Sequence, residues 1–284
     1  MAELVDIIGV THNPFLPGLL KAPNAEQALL DGAADYEGLH QRLAKARPDV
    51  LICVASDHLN QWFMNNMPPF IVGKAPRAVG PFPHEERGWG LTHYDVEVDT
   101  DVAKHVLRSA PDVGIDLAFS DEFLIDHSFT VPLNFLRPEM DIPIVPIWTN
   151  VMAPPLPPAR RFFQIGQALR RIIDDMPGGK RVGVVSSGHL SVEVGGPRMG
   201  GTSAPDLDFD RRVMDLMGKG DPEALLAEAS AERLLKAGNV AFGFLNYVLL
   251  LGLANGEAAQ TAAHFNKTTA TVNYFLWDYA TSAT

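Results

Sequence analysis

Four histidines, His12, His58, His127 and His189, stand where imidazole chemistry is expected. Three of them each follow an apolar, β-branched run. His12 closes Gly-Val-Thr-His after residues 5–10, His58 closes Ala-Ser-Asp-His after 50–55, and His189 closes Ser-Ser-Gly-His after 182–185. Open α/β sheets bind ligands beyond the carboxyl ends of their strands, so these three rings are expected to meet at one edge. His127, in Leu-Ile-Asp-His-Ser-Phe-Thr, falls at the expected start of a helix, where free backbone N–H groups favour anionic or oxygen ligands. An imidazole ligates metal, takes a proton or donates a hydrogen bond. A pocket holding four of them divides those roles, two rings on a divalent metal and two handling protons and orienting substrate or oxygen. Oxygen activation by non-haem iron uses two histidines and one carboxylate on a single face, with positions left open.

Asp57 and Asp126 each precede a histidine and are candidates to fix a ring from behind. A helix cap or another buried hydrogen-bonding role fits both equally well. His40, His84, His93, His105 and His264 lack the strand-end placement and read as surface or packing residues; His84 and His93, within a long loop, are the two to watch. The single cysteine, Cys53, lies in an apolar run and reads as a core thiol. No intramolecular disulfide can form, and any metal site must be built mainly from His, Asp and Glu.

The elements that position these residues are legible in outline. Hydrophobic residues make up 46% of the 284, ample for a sizeable core. Apolar runs alternate with amphipathic stretches, without internal repeat or composition shift, which gives one α/β domain over 1–284. Strands are expected at 5–10, 50–55, 115–119, 142–147 and 182–185, and helices at 25–46, 102–109, 160–174, 209–217, 224–229 and 239–253. Residues 60–94 carry five prolines and the aromatics Trp62, Phe63, Phe70, Phe82 and Trp89, the make-up of a long ordered loop over a scaffold. Gly195-Gly196 and Gly200-Gly201 flank Pro197-Arg198 but match no phosphate-loop or dinucleotide pattern. They read as a flexible loop over the pocket, with Arg198 a candidate for a substrate carboxylate.

The formal net charge of −11 argues against nucleic acid as a partner, because a phosphate backbone needs a basic face. The longest apolar run, 240–254, is too short to span a bilayer, and no basic region precedes the N-terminal apolar stretch, so a cytoplasmic location is expected.

At these residues the sequence resembles the class III extradiol ring-cleavage dioxygenases, of the protocatechuate 4,5-dioxygenase β-subunit type. The resemblance rests on Thr11-His12-Asn13-Pro14, Ser56-Asp57-His58, Glu86-Arg87-Gly88-Trp89-Gly90 and Asp126-His127-Ser128-Phe129-Thr130-Val131-Pro132-Leu133. Ser187-Gly188-His189, Gly196-Pro197-Arg198 and Ala237-Gly238-Asn239 complete it, in family order over nearly the whole chain. It implies an α/β domain with a mixed central sheet flanked by helices, bound Fe(II), a catecholic or phenolic aromatic substrate, dioxygen as co-substrate, and a homo-oligomer or a paired homologous subunit. It also implies His12 and His58 as iron ligands, His189 as the acid/base residue, and His127 as a hydrogen-bond partner of substrate or oxygen.

One departure stands out. The family takes its third iron ligand, a glutamate, from the helix after the Ala-Gly-Asn motif, and here Gly243 falls at that place. No acid occurs from Lys236 to Asn255, and Asn246 is the one amide side chain within the helix, a candidate contact to substrate. Glu193 and Glu122, close in sequence to His189 and His127, are candidate replacement carboxylates. The alternatives are a non-oxidative hydrolase, lyase or decarboxylase using the same histidines, or a non-catalytic partner subunit.

Overall fold

The computed structural model describes residues 1–196, 206–265 and 271–280. Among these, ten strands occur: β1 Glu3–Thr11, β2 Val50–Ser56, β3 Phe70–Gly73, β4 Arg77–Gly80, β5 Tyr94–Glu97, β6 Ala118–Ser120, β7 Ile144–Thr149, β8 Arg181–Gly188, β9 Gln260–His264 and β10 Val272–Asp278. Eight of them form one mixed sheet in the order β6-β3-β7-β2-β8-β1-β10-β9, and β4 pairs with β5 apart from it. The middle of the sheet, β7-β2-β8-β1, is parallel throughout. These four strands are buried along nearly their whole length, as parallel strands covered on both faces must be, and hence read as continuous apolar runs.

Alternate residues of the same strands enter different cores. Ile7, Ile52, Val54 and Val184 pack with Phe162, Ile165, Leu169 and Val248, under helices Ala159–Asp175 and Leu245–Leu253. Ile8, Leu51, Cys53 and Val185 pack with Leu39, Leu43, Phe129 and Leu133, under helices Gln27–Ala46 and His127–Leu136. The period of two along each strand thus divides the apolar residues between two helical layers. Cys53 is buried, and burial pushes its thiol pKa up, in keeping with a core thiol. Glycines let the two helices of the first layer approach closely. A Cβ on Gly166 would lie 1.9 Å from the Leu249 carbonyl oxygen, and one on Gly252 2.0 Å from that of Phe163.

Several elements differ from the sequence reading, among them the strand expected at 115–119, which narrows to Ala118–Ser120. Residues 60–94 are not only a loop: they supply β3 to the main sheet, β4, and the helix Pro83–Trp89. Prolines on either side of Phe70-Ile71-Val72 hide a strand too short to show a period. The strands β9 and β10 were not read from sequence, although β10 lies antiparallel beside β1. Their pattern is settled by pairing with a segment about 260 residues away, beyond any local signal. The expected helix at 239–253 begins late, as a 3-10 turn over Ala241–Phe244 that becomes α-helical at Leu245–Leu253. Among the described residues, no helix is long and apolar enough to cross a membrane.

Candidate active site

Strands β2, β8 and β1 are neighbours and run in parallel, with Thr11 opposite Gly188 in the ladder. Residues just past their carboxyl ends therefore emerge side by side. His12 follows β1 directly, His189 follows β8 directly, and His58 lies two residues beyond β2. His127 arrives from above as the first residue of the helix His127–Leu136. The ring centroids of His12 lie 5.2 Å from His58, 5.6 Å from His127 and 4.1 Å from His189; those of His58 and His127 are 4.2 Å apart. All four histidines meet at one rim of the sheet.

Three of the rings are held by Nδ1. His58 Nδ1 donates to Asp126 Oδ2 at 2.9 Å, and the His58 backbone N–H reaches the same oxygen at 3.1 Å. His127 Nδ1 lies 2.6 Å from Glu85 Oε1, a carboxylate buried completely. His12 Nδ1 lies 2.9 Å from Ser187 Oγ, whose hydroxyl hydrogen is committed to the Ser128 carbonyl oxygen at 2.6 Å. Ser187 must therefore accept, so His12 carries its hydrogen on Nδ1 and presents a lone pair at Nε2. That Nε2 is buried and, among the described residues, has no hydrogen-bond partner. One potential ligand atom from each of His12, His58 and His127 falls within 4.8 Å of the others.

Electrostatics divide the rings. Burial, reinforced by the neighbouring imidazoles, holds His12 well below the ordinary histidine range. The same causes push His189 down to about 3, and its Nδ1 has no partner among the described residues. His127 is also lowered, by burial and by His58, against the pull of Glu85. His58 goes the other way: burial opposes its charge, but Asp126, with help from Asp57 and Glu85, raises it. Asp126 in turn is held well below the usual carboxylate range, because His58, His127 and Ser128 together outweigh the cost of burying it.

Asp126 lies behind the ring of His58 and not behind that of its sequence neighbour His127. Asp57 holds a loop instead. Its carboxylate accepts from the backbone N–H groups of Gln61 and Trp62, at 3.0 and 3.1 Å, and so ties down the loop that follows β2. Asn246 is fully buried beneath the site, and its amide is engaged. It donates to Ser56 Oγ and to the Ser187 carbonyl oxygen and accepts from Thr149 Oγ1, joining the ends of β2, β7 and β8. This geometry makes it a brace and leaves it no atom for substrate, contrary to expectation. Arg198 lies outside the described residues.

Gly243 does border the pocket, since a Cβ there would lie 3.2 Å from the His189 backbone nitrogen and 3.6 Å from its ring Cδ2. Among the described residues, neither candidate replacement carboxylate joins the close set of ligand atoms that the histidines form. Glu122 is exposed, and Glu193 accepts from the Asn239 backbone N–H at 3.0 Å. His93 pairs with Glu86 on the surface, and His84 is likewise exposed. Of the loop aromatics, Trp89 approaches the site, with its ring 5.2 Å from His127; Trp62 packs on Trp148 and Phe70 on Phe162.

Sequence reasoning missed Glu85 and Ser187. Glu85 sits at the third position of the helix Pro83–Trp89 and accepts from the Phe82 backbone N–H at 3.1 Å. A proline at the first helical position followed by an acid at the third is a helix-start signal that marks Glu85. Nothing local pairs it with His127, 42 residues later.

The chain matches the family described as the catalytic LigB subunit of aromatic ring-opening dioxygenase over residues 6–277, and it belongs to that family of extradiol enzymes. It is 32% identical over 236 residues to a 2,3-dihydroxyphenylpropionate/2,3-dihydroxicinnamic acid 1,2-dioxygenase of Rhodococcus sp, a match covering 82% of this chain and 69% of that one. It is 34% identical over 214 residues to a second such enzyme, from Pseudomonas putida, covering 74% and 62%. Part of each relative thus lies outside the match. The crystal structure of an uncharacterized protein from Escherichia coli K12 shares the fold, with a TM-score of 0.63 at 16% identity over 95% of this chain and 99% of that one.

Proposed function

We propose that this protein opens a catecholic ring with dioxygen, with ferrous iron held by His12 and His58 and with His189 as the acid/base residue. The observation that carries the reading is the buried, unpartnered Nε2 of His12 on a ring that shares, with His58 and His127, a set of ligand atoms within 4.8 Å of one another. A nitrogen lone pair kept dry and without a donor is what a soft-to-borderline divalent cation requires of imidazole. The names of the relatives support a catechol with a short carboxylate side chain, such as 2,3-dihydroxyphenylpropionate, as substrate. Arg198 remains our proposed partner for that carboxylate.

Bound ferrous iron supplies a Lewis acid for the ring hydroxyl oxygens and a centre at which dioxygen is reduced. The protein does the rest. His189, neutral because burial and its neighbours hold it down, offers Nδ1 to accept a proton from a ring hydroxyl. Ser187 and Asp126 fix the His12 and His58 rings so that Nε2 faces inward. Trp89 provides an aromatic wall beside His127. We place the protein in the cytoplasm, where a lone buried thiol is at home.

Protein reconstituted with Fe(II) under anaerobic conditions and mixed with 2,3-dihydroxyphenylpropionate and oxygen tests the reading. One dioxygen is expected to be consumed per ring opened, giving a product with the mass of substrate plus both oxygen atoms, and His189→Ala is expected to abolish turnover. Conversion of substrate without oxygen uptake would show a non-oxidative reaction instead.

A further inference from the structure

We infer that His127 is the third protein ligand to the metal, an imidazole from the helix start filling the coordination position that Gly243 leaves without a carboxylate. The inference rests on the metal-dependent reading above and goes beyond it.

The helix segment around Gly243 borders the pocket but presents hydrogen where a carboxylate would have to project. Carboxylates do lie near the rings: Glu85, Asp126 and His127 approach one another closely. Both acids are, however, committed to Nδ1 atoms, Glu85 to His127 and Asp126 to His58. They stand behind the rings, on the side away from the free nitrogens. His189 is the other candidate, but its ligand atoms do not join the close set formed by His12, His58 and His127 among the described residues. Its Nδ1 also has no acceptor behind it to fix the ring. His127 has such an acceptor. With Nδ1 bound to Glu85, its Nε2 is the nitrogen left to face His12 and His58.

Three neutral imidazoles form a known face for a divalent cation, with metal–nitrogen bonds of about 2.1 Å. The three rings already hold one ligand atom each within 4.8 Å of the others, and sharing one cation requires each to move inward. The negative charge missing from Gly243 is supplied one atom layer out. Asp126 and Glu85 each accept a hydrogen bond from a ligand ring and so raise its donor strength. Glu85, buried and further tied to Asn60 and the Phe82 backbone, is thereby a positioning residue for the metal.

The test counts the ligand rings directly. Cobalt(II), loaded in place of iron, shifts the Nδ1–H protons of coordinated imidazoles far outside the normal proton NMR range. All three Nδ1–H groups here are hydrogen-bonded, to Ser187, Asp126 and Glu85, which slows their exchange. Wild-type protein is expected to show three shifted signals that vanish in heavy water. In His127→Gln one of them is lost and cobalt affinity falls at least about tenfold, whereas His189→Gln keeps all three. Two signals in the wild type, or unchanged affinity in a folded His127→Gln, overturns the role of His127 alone. Failure of the wild type to take up cobalt overturns it together with the metal-dependent reading, and the wild-type count stands even if a variant fails to fold.

Discussion

The carboxylate of Asp126 joins His58 to the helix that begins at His127. Oδ2 accepts from His58 Nδ1 at 2.9 Å, while Oδ1 accepts from the Ser128 backbone N–H at 2.9 Å and so caps that helix. One side chain therefore orients a ring on the sheet edge and anchors the element that brings in another ring. The two duties can be separated by substitution. Asp126→Asn keeps a capping oxygen but removes the charge behind His58, and metal affinity is expected to fall about 10- to 100-fold. Asp126→Ala loses the cap as well and should be less stable than Asp126→Asn by about 1 kcal/mol. Metal titration and urea unfolding of the metal-free proteins measure the two effects. Equal metal affinity in wild type and Asp126→Asn would refute the assignment.

Metal affinity should depend on pH through His58. Burial opposes charge on that ring, but Asp126 and its neighbours raise its pKa, so below that pKa metal-free protein carries a proton there that a cation must displace. Below the pKa of His58, affinity is expected to drop about tenfold per pH unit, and above it to level off. In Asp126→Asn the bend should move to lower pH. A titration series with cobalt or zinc gives the curve, and a flat profile contradicts it.

His189 should make the metal-free protein sensitive to acid. Its folded pKa is pushed down to about 3 from an ordinary 6.5, so the folded state binds fewer protons than the unfolded chain between those values. The stability this ring contributes is present above pH 6.5 and is lost as pH falls below it, about 2 kcal/mol by pH 5. Asp6, Asp57 and Asp210, each raised to about 6 chiefly by burial, act in the opposite sense over nearly the same range. The comparison is therefore made with His189→Gln, in which those carboxylates are unchanged. Its melting temperature is expected to fall less than that of wild type between about pH 7 and pH 5. Parallel curves would show that His189 is not held neutral.

Asn246 should matter for stability more than its distance from the rings suggests. Asn246→Leu keeps the branched shape but leaves Ser56 Oγ and the Ser187 carbonyl without this buried partner, while Thr149 Oγ1 keeps only its longer bond to the Ala55 carbonyl at 3.4 Å. At about 1–3 kcal/mol for each of the two polar groups that lose this partner, a loss of at least about 2 kcal/mol in urea unfolding is expected. A loss below about 1 kcal/mol would mean that water reaches this brace.

Much of the site was legible in the chain because its positions follow from local rules. The runs ending before His12, His58 and His189 are continuous and β-branched because β1, β2 and β8 are buried on both faces. A strand so marked announces where its carboxyl end lies. The start of the helix at His127 was readable for a similar reason, in the Asp-His-Ser sequence whose Asp126 supplies the cap.

The roles of the acids were not readable in this way. Asp57 and Asp126 both precede a histidine, yet one clamps a loop and the other holds a ring 68 residues away. Glu85 and His127, β10 and β1, and Asn246 with three strand ends are likewise joined only when the sheet closes. Sequence by itself determined the buried central strands β1, β2 and β8, the helix start and the four imidazoles, since these depend on apolar runs and periodicities within short windows. Only the tertiary structure decided which carboxylate backs which ring and what stands opposite Gly243. Such contacts are set by the packing of segments far apart in the chain, and no local pattern encodes their pairing.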